Sequence, residues 1–413
     1  MKVTKEKHCR ICSGDLVEFL NLGDIYPSAF VRSNTPCEAA PLTLSVCSVC
    51  GLVQLLHTVD LDSMYRDYYY QSGINSSMKD SLRNIVADII LTTELKDDDI
   101  VVDIGCNDGT MLNMFPSRVI KVGFDPANNL KEKADKVCDV FINDYFSLAG
   151  YSEFIAKPAK VVTSIAMFYD LQNPNKFVHD VKSILAKDGI WIIQLTDFTS
   201  MLKINAFDNI CHEHLEYYTL NYLVDYLATF GLSVFKVSYN DVNGGSLRIF
   251  VSYPTMYRIE KNVFDFLKEE IDYLSNNPVI RFIEKLETFK EATVKELETM
   301  RRKGKLVYGL GASTKGNTLL QYYEINTHLV SKIADVNVDK FGKFTVGTLI
   351  PIIPENIALS EEPDVFFVLP WHFIDNFINI LDEYLNTGGE LFVPLPEPKI
   401  YYKEDGIIQS RLI

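Results

Sequence analysis

From residue 100 onward, short apolar runs alternate with amphipathic stretches, the rhythm of a β/α series. The runs at 100–104, 121–124, 139–142, 160–164 and 189–195 read as five strands with helices between them. Two alternating runs, 232–239 and 246–253, flank Asn240-Asp-Val-Asn-Gly-Gly245, which signals a hairpin. The series therefore reads as a parallel sheet ending in an antiparallel pair. Ahead of it, Met78, Leu82, Ile85, Val86, Ile89 and Ile90 recur at helical spacing inside 71–98. Residues 261–303 are charged, amphipathic and helical, with one break near Asn277-Pro278. A second β/α series begins with Leu306-Val-Tyr-Gly309-Leu-Gly311 and continues at 330–334, 365–368 and 390–393. The expected division is a module at 1–70, a first α/β domain at 71–255, a helical connector at 256–303 and a second α/β domain at 304–413.

The patterning leaves the first 70 residues unexplained, and cysteine spacing fills that gap. Five of the eight cysteines lie before residue 51. Cys9-Arg-Ile-Cys12 and Cys47-Ser-Val-Cys50 are two CxxC knuckles with 34 residues between them. Each knuckle offers two thiolates from one tight turn, and four thiolates make a closed tetrahedral zinc site of structural type. A redox role for one CxxC is the lesser reading. Cys37 lies outside the spacing and reads as a small buried residue.

Charge and hydropathy narrow the setting. A net charge of −15 disfavours a nucleic-acid footprint, which needs a basic surface. No apolar run approaches the ~18 residues of a membrane span. The start, Met-Lys-Val-Thr-Lys-Glu-Lys, has no apolar segment, so a cytoplasmic protein is expected. A monomer or a homodimer fits equally.

Candidate chemistry sits at the carboxyl ends of the first-domain strands, where open parallel sheets bind ligands. Val-Val-Asp103-Ile-Gly105-Cys-Asn107-Asp108-Gly109 ends the first strand, and its glycines let backbone approach a ligand. Asp103 is placed to hold an amino group. Asp125 ends the second strand, where an acid accepts two ribose hydroxyls. Asp144 follows the third, near an adenine edge. An acid about 20 residues past a glycine turn also suits NAD. The acid after the third strand and the closing hairpin favour S-adenosylmethionine. A helix-capping role is the bland alternative for Asp103.

After the fifth strand comes Phe207-Asp-Asn-Ile-Cys211-His212-Glu213-His214-Leu-Glu-Tyr-Tyr218. Two of the seven histidines stand here beside a carboxylate, at the rim where an acceptor approaches the methyl donor. Imidazole suits proton abstraction near neutrality. A carbon next to a ketone becomes nucleophilic only as its enolate, so carbon methylation needs such a base; so does methylation of a hydroxyl. Metal binding by His212 and His214 lacks the HExxH spacing, and a plain helix start is the bland alternative. In the second domain, Gly309-Leu-Gly311-Ala-Ser313-Thr314-Lys315-Gly316-Asn317-Thr318 runs from a strand into a helix. Backbone N–H groups and Lys315 favour a diphosphate there, with a purely structural strand–helix turn as the bland alternative. The spacing departs from both GxGxxG and the Walker loop, which disfavours a nicotinamide site despite Asp335.

In their order along the chain, these motifs resemble the nucleotide-sugar C-methyltransferase family. The resemblance rests on the paired knuckles with Leu22-Gly23 and Cys50-Gly-Leu-Val-Gln-Leu55, the Asp103–Gly109 turn and Glu213-His214. Asn243-Gly-Gly-Ser246-Leu-Arg248 and Tyr308-Gly-Leu-Gly-Ala-Ser-Thr-Lys-Gly316 complete it. It implies an N-terminal zinc module, a central class I S-adenosylmethionine domain and a C-terminal Rossmann-like domain. The implied substrate is a 4-keto deoxysugar on a nucleoside diphosphate. His214 would be the general base, supported by Glu213. A tyrosine among Tyr65, Tyr68, Tyr69 and Tyr70, with Tyr70 preferred, would reach the active site. Ser313, Lys315, Asn317 and Arg248 would contact the substrate. One position departs from the pattern: Cys211 stands where antibiotic-sugar members carry a tyrosine, and His212 is the candidate replacement. Methylation of oxygen or nitrogen on a sugar or other small molecule is the alternative enzyme reading, and a zinc-ribbon module binding RNA or protein is the reading from a different class.

Overall fold

The computed structural model describes residues 2–32, 37–66, 70–74, 76–241 and 244–413. Tyr68, Tyr69 and Asn243 lie outside these described residues. The central sheet has the spatial order Ser233–Asn240, Ser246–Ser252, Leu185–Leu195, Ala159–Ile165, Ile100–Ile104, Ile120–Phe124, Val140–Ile142. Its members run parallel except Ser246–Ser252, which is antiparallel to both neighbours. This is the parallel sheet ending in an antiparallel pair that the apolar rhythm implied, and the class I methyltransferase layout that the resemblance implied. The order reverses between Ile100–Ile104 and Ala159–Ile165, so the ligand crevice opens above that junction. The strand Ile100–Ile104 is buried at every position, as a sheet covered on both faces requires.

The second sheet orders Ile352–Pro354, Ile333–Asp335, Val307–Leu310, Val365–Val368, Glu390–Val393, Lys399–Glu404, Ile407–Leu412. Its first five strands are parallel and its last pair is an antiparallel hairpin. The strand expected at 330–334 begins at Ile333. The connector is two helices, Lys261–Leu274 and Pro278–Arg302, and the break is Asn277 at φ 51° ahead of the proline.

The first 70 residues are not a separate bead. Their four-stranded sheet runs Leu16–Ile25, Ala40–Cys47, Val53–Leu55 and then Glu216–Tyr217, taken from the far end of the methyltransferase domain. Phe30–Val31 pairs with Phe344–Thr345 of the last domain. One apolar core runs through Leu42, Leu44 and Leu55, through Phe207, Ile210 and Leu215, and on to Leu319 and Tyr323. The segment 207–217 is therefore the hub where the three parts meet. Cys37, expected to be buried, is exposed, in the connection between Phe30–Val31 and Ala40–Cys47.

Candidate active site

The four knuckle cysteines bring their sulfurs within 4.8 Å of one another. Cys9 Sγ lies 3.7 Å from Cys50 Sγ, and Cys12 Sγ lies 3.4 Å from Cys47 Sγ. A tetrahedral zinc with ~2.3 Å bonds holds its thiolates ~3.8 Å apart, so the cluster fits the ion with little adjustment. Backbone N–H groups of Gly14 and Val49 point at Cys12 and Cys47 sulfurs, both at 3.4 Å, and stabilise thiolates there. All four positions are filled by protein, which makes the site structural.

A cavity of about 410 Å³ opens above the strand reversal and is walled by all three parts of the chain. Asp103, Gly105, Asn107, Asp125 and Asp144 line it from the sheet, Glu213 and His214 from the hub, Ser313 and Lys315 from the last domain, and Tyr70 from the first. Gly105 sits at φ +75°, and a Cβ there would come within 3.3 Å of the Met167 side chain. Asp103 accepts from Thr163 Oγ1 at 2.7 Å, and burial raises its carboxyl to about 7. Asp125 accepts backbone N–H from Asn107 at 2.8 Å and from Ala127 at 2.9 Å. Each of its oxygens keeps a second lone pair for a hydroxyl. These groups suit the amino end and the ribose of S-adenosylmethionine.

Other expected contacts are engaged by the protein itself. Asn107 Oδ1 accepts Ser72 N–H at 2.9 Å and its Nδ2 donates to the Tyr70 carbonyl at 3.0 Å. Asp108, outside the cavity wall, accepts Gly73 N–H at 2.9 Å and the Thr110 hydroxyl at 2.6 Å. The two residues clamp segment 70–73 over the cavity. A Cβ on Gly73 would meet Asp108 Oδ2 at 2.8 Å, so the clamp needs glycine. Gly109 takes φ +78° and packs toward Val137. Asp144 is exposed and accepts from Arg66 Nη2 at 3.1 Å.

The hub is a turn that leads into the strand Glu216–Tyr217, and the next helix begins at Leu220, so the helix-start reading fails. A turn sends adjacent side chains different ways. His214 Nδ1 donates to the Asn209 carbonyl at 2.8 Å, which leaves the Nε2 lone pair as its basic site. The Tyr169 ring packs against it, centroids 4.2 Å apart. Burial, then the Lys315 charge, lowers the imidazole to about 3, so His214 is neutral at working pH. His212 turns the opposite way. Its Nε2 meets the Ala40 carbonyl at 3.2 Å, and it is buried off the cavity wall. It therefore does not stand in for the tyrosine that Cys211 replaces. Glu213 reaches the cavity, but among the described residues it makes no hydrogen bond to His214 and its buried Oε2 has no hydrogen-bond partner. The Tyr65 hydroxyl lies 3.3 Å from the Glu213 carbonyl and bonds the Asp170 carboxyl.

Burial raises the Glu213 carboxyl to about 7. A raised carboxyl adds stability that is complete below its unfolded pKa and lost as pH climbs through the folded value. The wild type should therefore lose stability relative to Glu213→Gln between about pH 4.5 and 7, by roughly 3 kcal/mol. Paired denaturant titrations across that window check this; a pH-independent difference contradicts it.

In the last domain, Ser313 caps the helix Thr314–Tyr322, and Lys315 on its first turn reaches the cavity beside the Asp208 carboxylate. Two expected substrate contacts are structural instead. Asn317 Nδ2 donates to Ser28 Oγ at 2.9 Å and to the Ala29 carbonyl at 3.3 Å, docking the first domain on the last. Arg248 is buried behind the cavity wall on Asp88 and Gln194. Asp335 accepts from the backbone of Ala312 and Asn337 and pairs with Lys340, so its carboxylate is already engaged within the domain. Tyr169, Asp170, Gln194 and His372 also line the cavity and were not singled out by their sequence neighbourhoods.

Family models and a curated relative agree with this arrangement. Residues 9–65 match a zinc binding domain, 75–237 a methyltransferase domain and 241–396 a C-methyltransferase C-terminal domain. The C-methyltransferase NovU of Streptomyces niveus is 30% identical over 370 residues, covering 88% of each chain. Among solved structures, the plantazolicin methyltransferase BpumL bound to SAH is 15% identical, covering 42% of this chain and 82% of that one, with a TM-score of 0.34. The magnesium protoporphyrin IX methyltransferase of Synechocystis PCC 6803 with SAH is 10% identical, covering 45% and 90%, at 0.35.

Proposed function

The chain belongs to the S-adenosylmethionine-dependent C-methyltransferases, and from that premise we propose that its acceptor is a keto-deoxysugar carried on a nucleoside diphosphate. The observation that carries this reading is the shared cavity. A neutral imidazole with an open Nε2 and a lysine at a helix N-terminus face the same space. A ketone-bearing ring beside His214 and a diphosphate beside Lys315 use both. His214 Nε2 takes the proton from the carbon next to the ketone, and the electron pair passes to the oxygen as an enolate. S-adenosylmethionine, when bound, supplies the methyl that this carbon receives. The Lys315 charge helps hold the imidazole low. A diphosphate that neutralises Lys315 would raise the basicity of His214 when the acceptor is present.

Solvent deuterium tests the deprotonation directly. Without methyl donor, the protein should exchange the α-hydrogen of a nucleotide-linked 4-keto-6-deoxysugar, read by NMR; an unexchanged ketone with an O-methylated product contradicts the reading. Lys315→Met should raise KM for the nucleotide-linked acceptor at least ~10-fold, since a charge-assisted contact is worth about 1.5–3 kcal/mol, and leave donor affinity unchanged by calorimetry. Equal KM values contradict the diphosphate contact.

A further inference from the structure

Gln194, near the end of the strand Leu185–Leu195, lines the cavity and is 4% exposed. It lies directly across the antiparallel pair from Arg248, so the two side chains share one face of the sheet. Its Oε1 accepts Arg248 Nε at 2.8 Å and Asn240 Nδ2 at 3.2 Å. Two donors on one atom fix which end of the amide is oxygen. The Nε2 end carries two N–H groups, and no acceptor among the described residues meets them. Arg248 is held in turn, with Nη1 2.5 Å from Asp88 Oδ2, and Asp88 Oδ1 lies 3.8 Å from Lys236 Nζ. A buried guanidinium is costly unless paired. Here the pairing serves to pin one amide.

Strand order places that amide. The donor crevice lies above the junction of Ile100–Ile104 and Ala159–Ile165, and Gln194 stands on the next strand outward, in the same cavity as His214. We propose that the Gln194 amide donates a hydrogen bond to the ketone oxygen of the acceptor and stabilises the oxyanion formed when His214 removes the neighbouring proton, with Arg248 and Asp88 as positioning residues. This rests on the enolate reading above. The C–H bond breaks, its proton goes to His214 Nε2, its electron pair becomes the new C=C bond, and the carbonyl π pair becomes the charge on oxygen. Gln194 shares a hydrogen with that oxygen and transfers none. The donor is fixed before the charge appears, which is what makes such groups effective.

Gln194→Met keeps the side-chain length and removes the donor. It should lower both α-hydrogen exchange and kcat for methylation by ~10²–10³-fold, the loss seen for one oxyanion donor. KM for the acceptor and calorimetric Kd for S-adenosylmethionine should stay close to wild type. Gln194→Glu, which turns the donor into an acceptor, should lose at least as much. Arg248→Lys, too short to bridge Asp88 and Gln194, should lower kcat by a smaller factor without changing KM. Wild-type exchange and turnover in Gln194→Met overturn the inference while the enolate reading stands. Methylation by the wild type with no α-hydrogen exchange under any condition overturns both.

Discussion

His214→Asn is expected to lose methyl transfer by roughly 10²–10⁴-fold, the range for removing a general base. The reason is positional. His214 lines the cavity and its Nδ1 is committed to the Asn209 carbonyl, which leaves Nε2 as the nitrogen for the proposed base. The substitution leaves a small void beside Tyr169 and touches none of the strand ends that carry Asp103 and Asp125. Donor affinity by calorimetry should therefore match wild type while product and α-hydrogen exchange fall together. His212→Asn serves as the control. Its ring bonds the Ala40 carbonyl away from the cavity, so it should cost stability with kcat kept within about threefold, by the usual scale of changes outside a site. A His214→Asn enzyme that still exchanges and methylates at the wild-type rate would remove this residue from the chemistry.

Zinc removal is the second large effect. No knuckle thiol touches the cavity, yet the knuckle holds part of its wall. Arg10, between Cys9 and Cys12, donates to the Leu55 carbonyl at 2.8 Å and to Thr58 Oγ1 at 2.7 Å, and its Nε lies 3.7 Å from Glu216. Glu216 belongs to the strand that completes the four-stranded sheet of the N-terminal module and follows His214 closely in the chain. The Tyr222 hydroxyl bonds Cys50 Sγ at 3.3 Å, and Asn175 Nδ2 donates to the Ile11 carbonyl at 2.8 Å, tying the knuckle to the methyltransferase domain. Structural zinc contributes about 10–16 kcal/mol in small zinc-finger peptides. Losing it should free Arg10 and the hub together. Chelation, or Cys47→Ser, should cut kcat at least ~10-fold and lower the melting temperature, with re-added zinc restoring the chelated wild type only. Turnover measured against zinc content checks this, and full activity in zinc-free protein contradicts it.

Much of this architecture was legible because the relevant signals are local. Strand periods, the glycine turn and two CxxC knuckles are patterns of a few neighbouring residues; the turn and knuckles appear where the spacing put them, and the strands there with shifted ends. What escaped depends on direction or on distant partners. Sequence places Asn107 and Asp108 at a strand end, but their side chains turn back to segment 70–73. His212 and His214 are two positions apart and face opposite sides of a turn. Arg248 and Asn317, expected at the substrate, instead brace Gln194 and Ser28. Glu216–Tyr217 is too short to show a period, and its partner strand Val53–Leu55 lies far away in the chain. The hairpin Lys399–Glu404 with Ile407–Leu412 did carry a readable signal, Asp405-Gly406, both at positive φ. Tyr169, Asp170 and His372 have no motif around them; only the fold brings them to the cavity.

The central claim is that this chain methylates a carbon whose proton His214 removes. The most direct test is to incubate the zinc-loaded protein with S-adenosylmethionine and nucleotide-linked 4-keto-6-deoxysugars, and then to locate the new methyl by mass spectrometry and NMR. The account predicts a product heavier by one methylene, with the methyl bound to the carbon beside the ketone, formed by wild type and not by His214→Asn. A methyl on oxygen or nitrogen, or a carbon-bound methyl formed equally well by His214→Asn, contradicts it.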